Sequence, residues 1–225
     1  MNPFHPAPEQ LPAEIAVFPL SGALLLPGGK LPLNIFEPRY LALVLDSLAD
    51  GRMFGMVQGN PAAPETSRGG GLYHVGCLGR ISSFAETEDG RLLITLSGLL
   101  RFRIAEELAP RRGYRRARAD YEPYLDDLDP PEPGDLPREA ILAALKPYFV
   151  AKGIDANWSA IEQMSCPTLV TTLSMVCPFA VAEKQALLEA ATPAERADGL
   201  VALLRMAAHG TSLGGGDLPP GGRPS

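Results

Sequence analysis

The chain has 225 residues, 46% of them hydrophobic and 20% charged, with a formal charge of −6. That length and balance can bury the core of one large domain, or of a domain with a smaller annex. They exclude a generally basic nucleic-acid-coating protein, and no apolar run approaches the ~20 residues a membrane span needs.

Residues 1–12 are rich in proline and read as a flexible N-terminal arm. A β domain is expected over 13–125. Its first two β-prone runs, 15–20 and 30–36, flank a bend marked by Pro27, Gly28 and Gly29. Pro19 and Pro32 cannot donate to a ladder, so both runs are expected as edge strands, short strands or bulged strands. Glu37-Pro38-Arg39-Tyr40 then opens a helix: Pro38 suits the first turn, Glu37 complements the positive end of the dipole, and Leu41, Leu43, Val44, Leu45 and Leu48 follow. A third strand is expected over 52–58 and a glycine–proline loop over 59–71. Strands over 76–86 and 91–100 flank Thr87-Glu88-Asp89-Gly90, where Asp-Gly signals a hairpin turn. An alternating run over 114–124 closes the β part.

The acidic, proline-rich stretch D-D-L-D-P-P-E-P-G-D, residues 126–135, reads as a linker to a helical subdomain over 136–208. In the subdomain's first helix, 137–152, Ile141, Leu142, Leu145, Tyr148 and Phe149 share one face at helical spacing. Further helices are expected over 157–164, 167–176 and 181–191. Thr192-Pro193-Ala194-Glu195 is a capping box with proline at the first helical position, and it opens the last helix. Residues 209–225 read as a disordered tail.

Strand, proline–glycine bend, strand and an F-E-P-R-Y helix start, in that order, resemble the opening of the LON domain, the N-terminal substrate-binding domain of Lon proteases. Two later blocks resemble the same family in the same order. One is L-Y-H-V-G-C-L-G-R-I with G-L-L-R-F-R-I at 98–104; the other is P-F-A-V-A-E-K-Q-A-L-L-E, followed by Arg196 and Leu200. The resemblance covers residues 13–207. It implies an α+β fold: a PUA-like twisted β-barrel with one inserted helix, followed by a C-terminal helical subdomain. It also implies a non-catalytic recognition protein for unfolded or extended polypeptide, an adaptor or regulator of proteolysis working with a protease or chaperone system.

The residues themselves show no chemistry of the catalytic kind. Gly28-Gly29-Lys30 lacks the earlier glycine and the following Ser or Thr of a phosphate loop. The ATPase and Ser-Lys peptidase domains of full Lon proteases are not among these residues, so a stand-alone recognition domain is expected. Ser21, Ser97 and Ser165 sit in no G-x-S-x-G elbow, and His5, His74 and His209 stand alone. No catalytic residue, metal site or cofactor is therefore expected. Cys77, Cys166 and Cys177 form no C-x-x-C pair, and the first residues lack the basic start and apolar run of a signal peptide. The expected setting is the reducing cytoplasm, without a membrane partner.

Phe36, Glu37, Arg39 and Tyr40 are the polypeptide-binding candidates, bordering a groove where β-augmentation could use a free strand edge; Phe36 also reads as core. The rival class is RNA binding, because PUA-like barrels of other families bind RNA and Arg101, Arg103, Arg111, Arg112, Arg115, Arg116 and Arg118 crowd one β stretch. Arg115, Arg116 and Arg118 are its candidate residues. Glu106, Glu107, Asp120 and Glu122 lie beside them and aromatics are few, so a salt-bridged face ranks above nucleic acid. The adjacent pairs Glu106–Glu107 and Asp126–Asp127 point apart and read as solvated surface.

Overall fold

In the computed structural model, which describes residues 6–65, 69–129 and 136–210, the first strand, β1 (Glu14–Pro19), does not lie at an edge. It runs parallel to β3 (Met53–Val57) on one side and antiparallel to β6 (Tyr114–Asp120) on the other. Pro19 is accommodated because it is the last residue of β1; the next N–H, from Leu20, bonds the Val57 carbonyl oxygen at 3.0 Å. The edge expectation holds for β2 (Lys30–Ile35), whose only strand partner among the described residues is β5 (Leu92–Arg111).

β4 (Val75–Glu86) and β5 form a long hairpin about the Asp-Gly turn, where Gly90 has φ 78°. β5 continues well past residue 100, where the expected strand stops. Its first half pairs with β2 and β4, its second with β4 and β6. Pairings β1–β3, β3–β4, β4–β5, β5–β6 and β6–β1 therefore close a ring, with β2 added outside it. One end of the interior holds Ile15, Val17, Leu78, Leu100 and Phe102; the other holds Phe18, Leu25, Phe54 and Leu96. Burial of each such side chain contributes about 1.5–3 kcal/mol.

Two glycines in the Y-H-V-G and G-L-L-R-F-R-I stretches have a steric cause. A Cβ at Gly98 would sit 2.0 Å from the Leu26 carbonyl oxygen, and one at Gly76 would sit 2.6 Å from that of Met56. Only glycine lets backbone pass backbone this closely.

The inserted helix, α1 (Pro38–Ala49), starts as expected, with Glu37 at the N-cap and Pro38 at the first position. Tyr40, Leu43 and Val44 face inward, while Leu45 lies on the outer face. After β6 the chain departs from expectation. Alternation ends at Asp120, whose carboxylate accepts the Glu122 N–H at 3.1 Å, and a 3-10 helix (Glu122–Leu128) follows. The expected linker thus begins inside a helical turn, and its residues 130–135 lie outside the described residues.

The helical layer comprises α2 (Arg138–Lys152), α3 (Trp158–Gln163), α4 (Cys166–Val176), α5 (Val181–Glu189) and α6 (Pro193–Gly210). Asn157 and Ser165 cap α3 and α4 with their side chains. Thr192 accepts the Glu195 N–H at 3.1 Å, while the Glu195 carboxylate reaches back to the Ala191 N–H at 3.1 Å. Ile141, Leu145, Tyr148, Leu173, Leu200 and Leu204 form a second core; Leu142 and Phe149 are only half-buried against it. α6 runs on to Gly210, so the expected tail starts within its last turn; residues 211–225 lie outside the described residues.

The E-K-Q stretch of α5 joins the two layers. The Glu183 carboxylate accepts the Ala180 N–H at 2.7 Å, and Lys184 donates to the carbonyl oxygens of Gly22 at 2.8 Å and Met175 at 3.0 Å. Gln185 donates to the Val75 carbonyl oxygen at 3.0 Å and accepts from Gln58 at 3.1 Å.

Gly98→Ala is expected to lower stability by about 1–3 kcal/mol through overpacking against Leu26. Urea unfolding should show a lower midpoint with an unchanged slope.

Candidate polypeptide-binding surfaces

The four residues of the F-E-P-R-Y turn have separate fates. Tyr40 is core, 8% exposed, with its ring stacked on Phe18 at 4.1 Å between centroids. Burial pushes its phenol pKa up. The Arg39 guanidinium lies 4.5 Å from the Tyr40 ring centroid and is held by Glu37 at 2.8 Å. Both charges therefore orient the helix start. Phe36, also read as core, is 60% exposed, because Ile35 takes the inward side of the strand and the next side chain points away. Arg91 rests 5.7 Å from its ring centroid.

Phe36 follows the free-edge strand. Next to it on β5, Leu93 is 47% exposed on the Asn34 side of the sheet, and on β4, beyond β5, Phe84 is 50% exposed on the other side with Leu33. A shallow hollow of about 490 Å³ at this corner is lined by Pro32, Leu33, Phe84 and Leu93. A separate groove of about 470 Å³ brings Arg39 and Tyr40 together with Leu108, Pro110 and Arg115. One of the RNA candidates thus shares a groove with two of the polypeptide candidates.

The surface arginines are paired. Arg115 meets both oxygens of Glu107 at 2.7 Å and the Gly70 carbonyl oxygen at 2.7 Å. Arg116 meets Glu14 at 2.6 Å, Arg118 meets Glu106 at 2.8 Å, and Arg103 meets Asp120 at 2.7 Å. Arg112 and Arg111 meet Asp46 at 2.6 and 3.4 Å. Asp46 also accepts the Tyr114 hydroxyl at 2.8 Å, and that bond, ahead of those from the arginines, holds its carboxyl below the usual range. Among the described residues, no three His, Cys, Asp or Glu side chains are grouped closely enough to hold a metal ion.

Arg101 leaves the same face of β5 as Arg103, yet it is buried, and it corrects the reading of a single arginine face. The 3-10 helix and the end of α5 cover it. Its Nε and Nη2 grip the two oxygens of Asp127 at 2.8 and 2.9 Å, Nη1 donates to the Ala190 carbonyl oxygen at 2.6 Å, and the Tyr124 ring centroid lies 4.8 Å away. Asp127 is accordingly not solvated surface, whereas its neighbour Asp126 is. Beside this pair the two layers leave a cleft of about 820 Å³, walled by Pro27, Leu99, Leu128, Val170 and Pro193. Sequence reasoning missed it because its walls come from elements far apart in the chain; the buried R-F-R-I arginine was its one local sign.

A closed strand ring with one inserted helix and a helical layer clamped to it define a domain of the α+β class. The sequence model of the ATP-dependent protease La (LON) substrate-binding domain matches residues 14–206, and the chain belongs to that family. It is 30% identical over 112 residues to Lon protease 2 of Myxococcus xanthus and, over the same length, to Lon protease of Anaeromyxobacter dehalogenans. Those matches cover 50% of this chain and 13% of each relative, so only a small part of the relatives' length is represented. Among solved structures, the Lon N-terminal domain protein from Xanthomonas campestris superposes with a TM-score of 0.59 at 25% identity, covering 84% of this chain and 97% of that one. The N-terminal domain of Mycobacterium avium complex Lon protease gives 0.58 at 15% identity, over 85% and 97%, a likeness of fold.

Asp127→Ala strands a buried guanidinium and is expected to cost about 3–5 kcal/mol in urea unfolding. Asp126→Ala, on exposed surface, should stay within about 0.5 kcal/mol. A second outcome concerns pH. The Asp46 carboxyl is depressed in the folded state, so its stabilisation is present above its unfolded pKa and is lost as pH falls through the folded value. The stability difference between the wild type and Asp46→Asn should be largest near neutrality and shrink below about pH 4 in thermal melts.

Proposed function

We propose that this domain holds unfolded or extended polypeptide without cleaving it, as an adaptor or regulator feeding a protease or chaperone system in the cytoplasm. The observation that carries the reading is the exposed apolar surface at the free edge of β2 and the strands next to it: Phe36 and Leu93 on one face of the sheet, Phe84 with Leu33 on the other. Exposed apolar groups clustered at a strand edge are suited to an extended chain, which contributes side chains to the hollow and backbone to the edge. Pro32 removes one donor from that edge and limits indiscriminate strand pairing. The family of substrate-binding domains and the three free thiols fit the same role and setting. No helix among the described residues is long and apolar enough to cross a membrane. RNA remains the weaker reading, since Arg115, Arg116 and Arg118 each already face a carboxylate.

Reduced, carboxymethylated lactalbumin should bind with little dependence on moderate salt, and a Phe84→Ser/Leu93→Ser double substitution should weaken it about tenfold or more. A random RNA pool should not bind at physiological salt. RNA binding with a steep salt slope, lost in Arg115→Ala/Arg116→Ala/Arg118→Ala, together with no affinity for unfolded protein, would reverse the ranking. ATP turnover or peptide cleavage by the purified chain would overturn the non-catalytic part.

A further inference from the structure

The cleft between the layers carries an unbalanced buried charge. Arg101 has claimed Asp127 completely: Asp127 Oδ2 accepts the Arg101 backbone N–H at 3.0 Å and Nε at 2.8 Å, and Oδ1 accepts Nη2 at 2.9 Å. A second guanidinium, Arg196, lines the same cleft and is only 7% exposed. Its Nε donates to the Leu187 carbonyl oxygen at 2.8 Å, but its Nη2 is buried with no hydrogen-bond partner. Among the described residues, no carboxylate lies within ion-pair distance of it. Burial first, and the like charge of Arg101 second, push its pKa down to about 10. Two buried cations thus share one anion, and burying an unpaired charge is among the costliest arrangements in a fold.

The surroundings narrow what would balance it. Among the buried groups the excess is a single positive charge, which matches a monoanion. The walls are mainly apolar (Pro27, Leu99, Leu128, Val170, Ala191 and Pro193), and the volume of about 820 Å³ is in the range of ligand sites. Asp126 and Asp129, both exposed, line the cleft as well and disfavour polyanions such as nucleic acid.

From this charge imbalance and these walls we infer that the cleft is a second binding site, one that takes the free C-terminal carboxylate of a polypeptide ending in apolar residues. Arg196 donates to the carboxylate and the apolar walls take the last side chains. Capture of a chain end by a buried donor is a recurrent recognition mode, and the planar guanidinium fork matches a carboxylate. A lysine shortly before the chain end would meet Asp126 and Asp129. The inference rests on the polypeptide-recognition reading for its class of ligand, but the site is separate from the β2 edge.

The test uses the fluorescein-labelled heptapeptide Gly-Ser-Gly-Lys-Ala-Leu-Leu as the free acid and as the C-terminal amide, titrated with the whole chain and read by anisotropy. The acid is expected to bind about tenfold or more tighter than the amide. Arg196→Gln should abolish that preference and Arg196→Lys should keep part of it. Because Arg196 also holds the Leu187 carbonyl, each variant is checked by circular dichroism, and the acid-to-amide ratio of the wild type stands independently of any variant's folding. Equal binding of acid and amide would overturn the carboxylate site while leaving polypeptide recognition intact. The same holds if neither peptide binds but carboxymethylated lactalbumin does. If all three fail to bind, both readings fall.

Discussion

The polar seam between strand ring and helical layer is the constraint on which the rest of the structure depends. An apolar seam would tolerate sliding; this one does not, because Lys184, Gln185, Gln58 and Arg101 are buried and each has specific oxygen partners across it. A shift of an ångström or two would leave several buried donors unsatisfied, at about 1–3 kcal/mol for each. The seam therefore sets where α5 sits on the barrel, and through α5 the positions of α4, α6 and the cleft walls.

Ring closure imposes the second constraint. β5 has to serve two neighbourhoods in turn, β2 with its first half and β6 with its second, so it must be long and must pass other backbone at contact. Gly98 stands where β5 passes the backbone of Leu26, and Gly76 where β4 passes that of Met56 in β3. α1 is then pinned to β6 by Asp46, which gathers Tyr114, Arg111 and Arg112.

Arginine is used here in three electrostatic roles. On the outer face of β6 it is balanced pair by pair and contributes little stability. At Arg101 it is buried with a bidentate carboxylate, backbone acceptors and an aromatic ring, and acts as a structural rivet. At Arg196 it is buried with one backbone acceptor and an unpartnered nitrogen, the condition of a group awaiting an anion. Residue type alone does not separate these roles; what covers each side chain does.

Local signals were legible in the sequence by itself. Pro38 at the start of α1, the Thr192–Glu195 capping box, the Asp-Gly hairpin and the apolar stripe of α2 all depend on groups within a turn or two of each other, so their partners can be read off the chain. The family resemblance likewise rested on short blocks whose order survives in the chain. What tertiary structure alone decided has the opposite character. That β1 is flanked on both sides, that Phe36 is exposed, that Arg101 is buried while Arg103 is wet, and that a cleft opens beside Asp127 each depend on which distant element arrives to cover a side chain. Burial is a property of long-range contacts, and alternation along a strand says which way a residue points but not what it meets there.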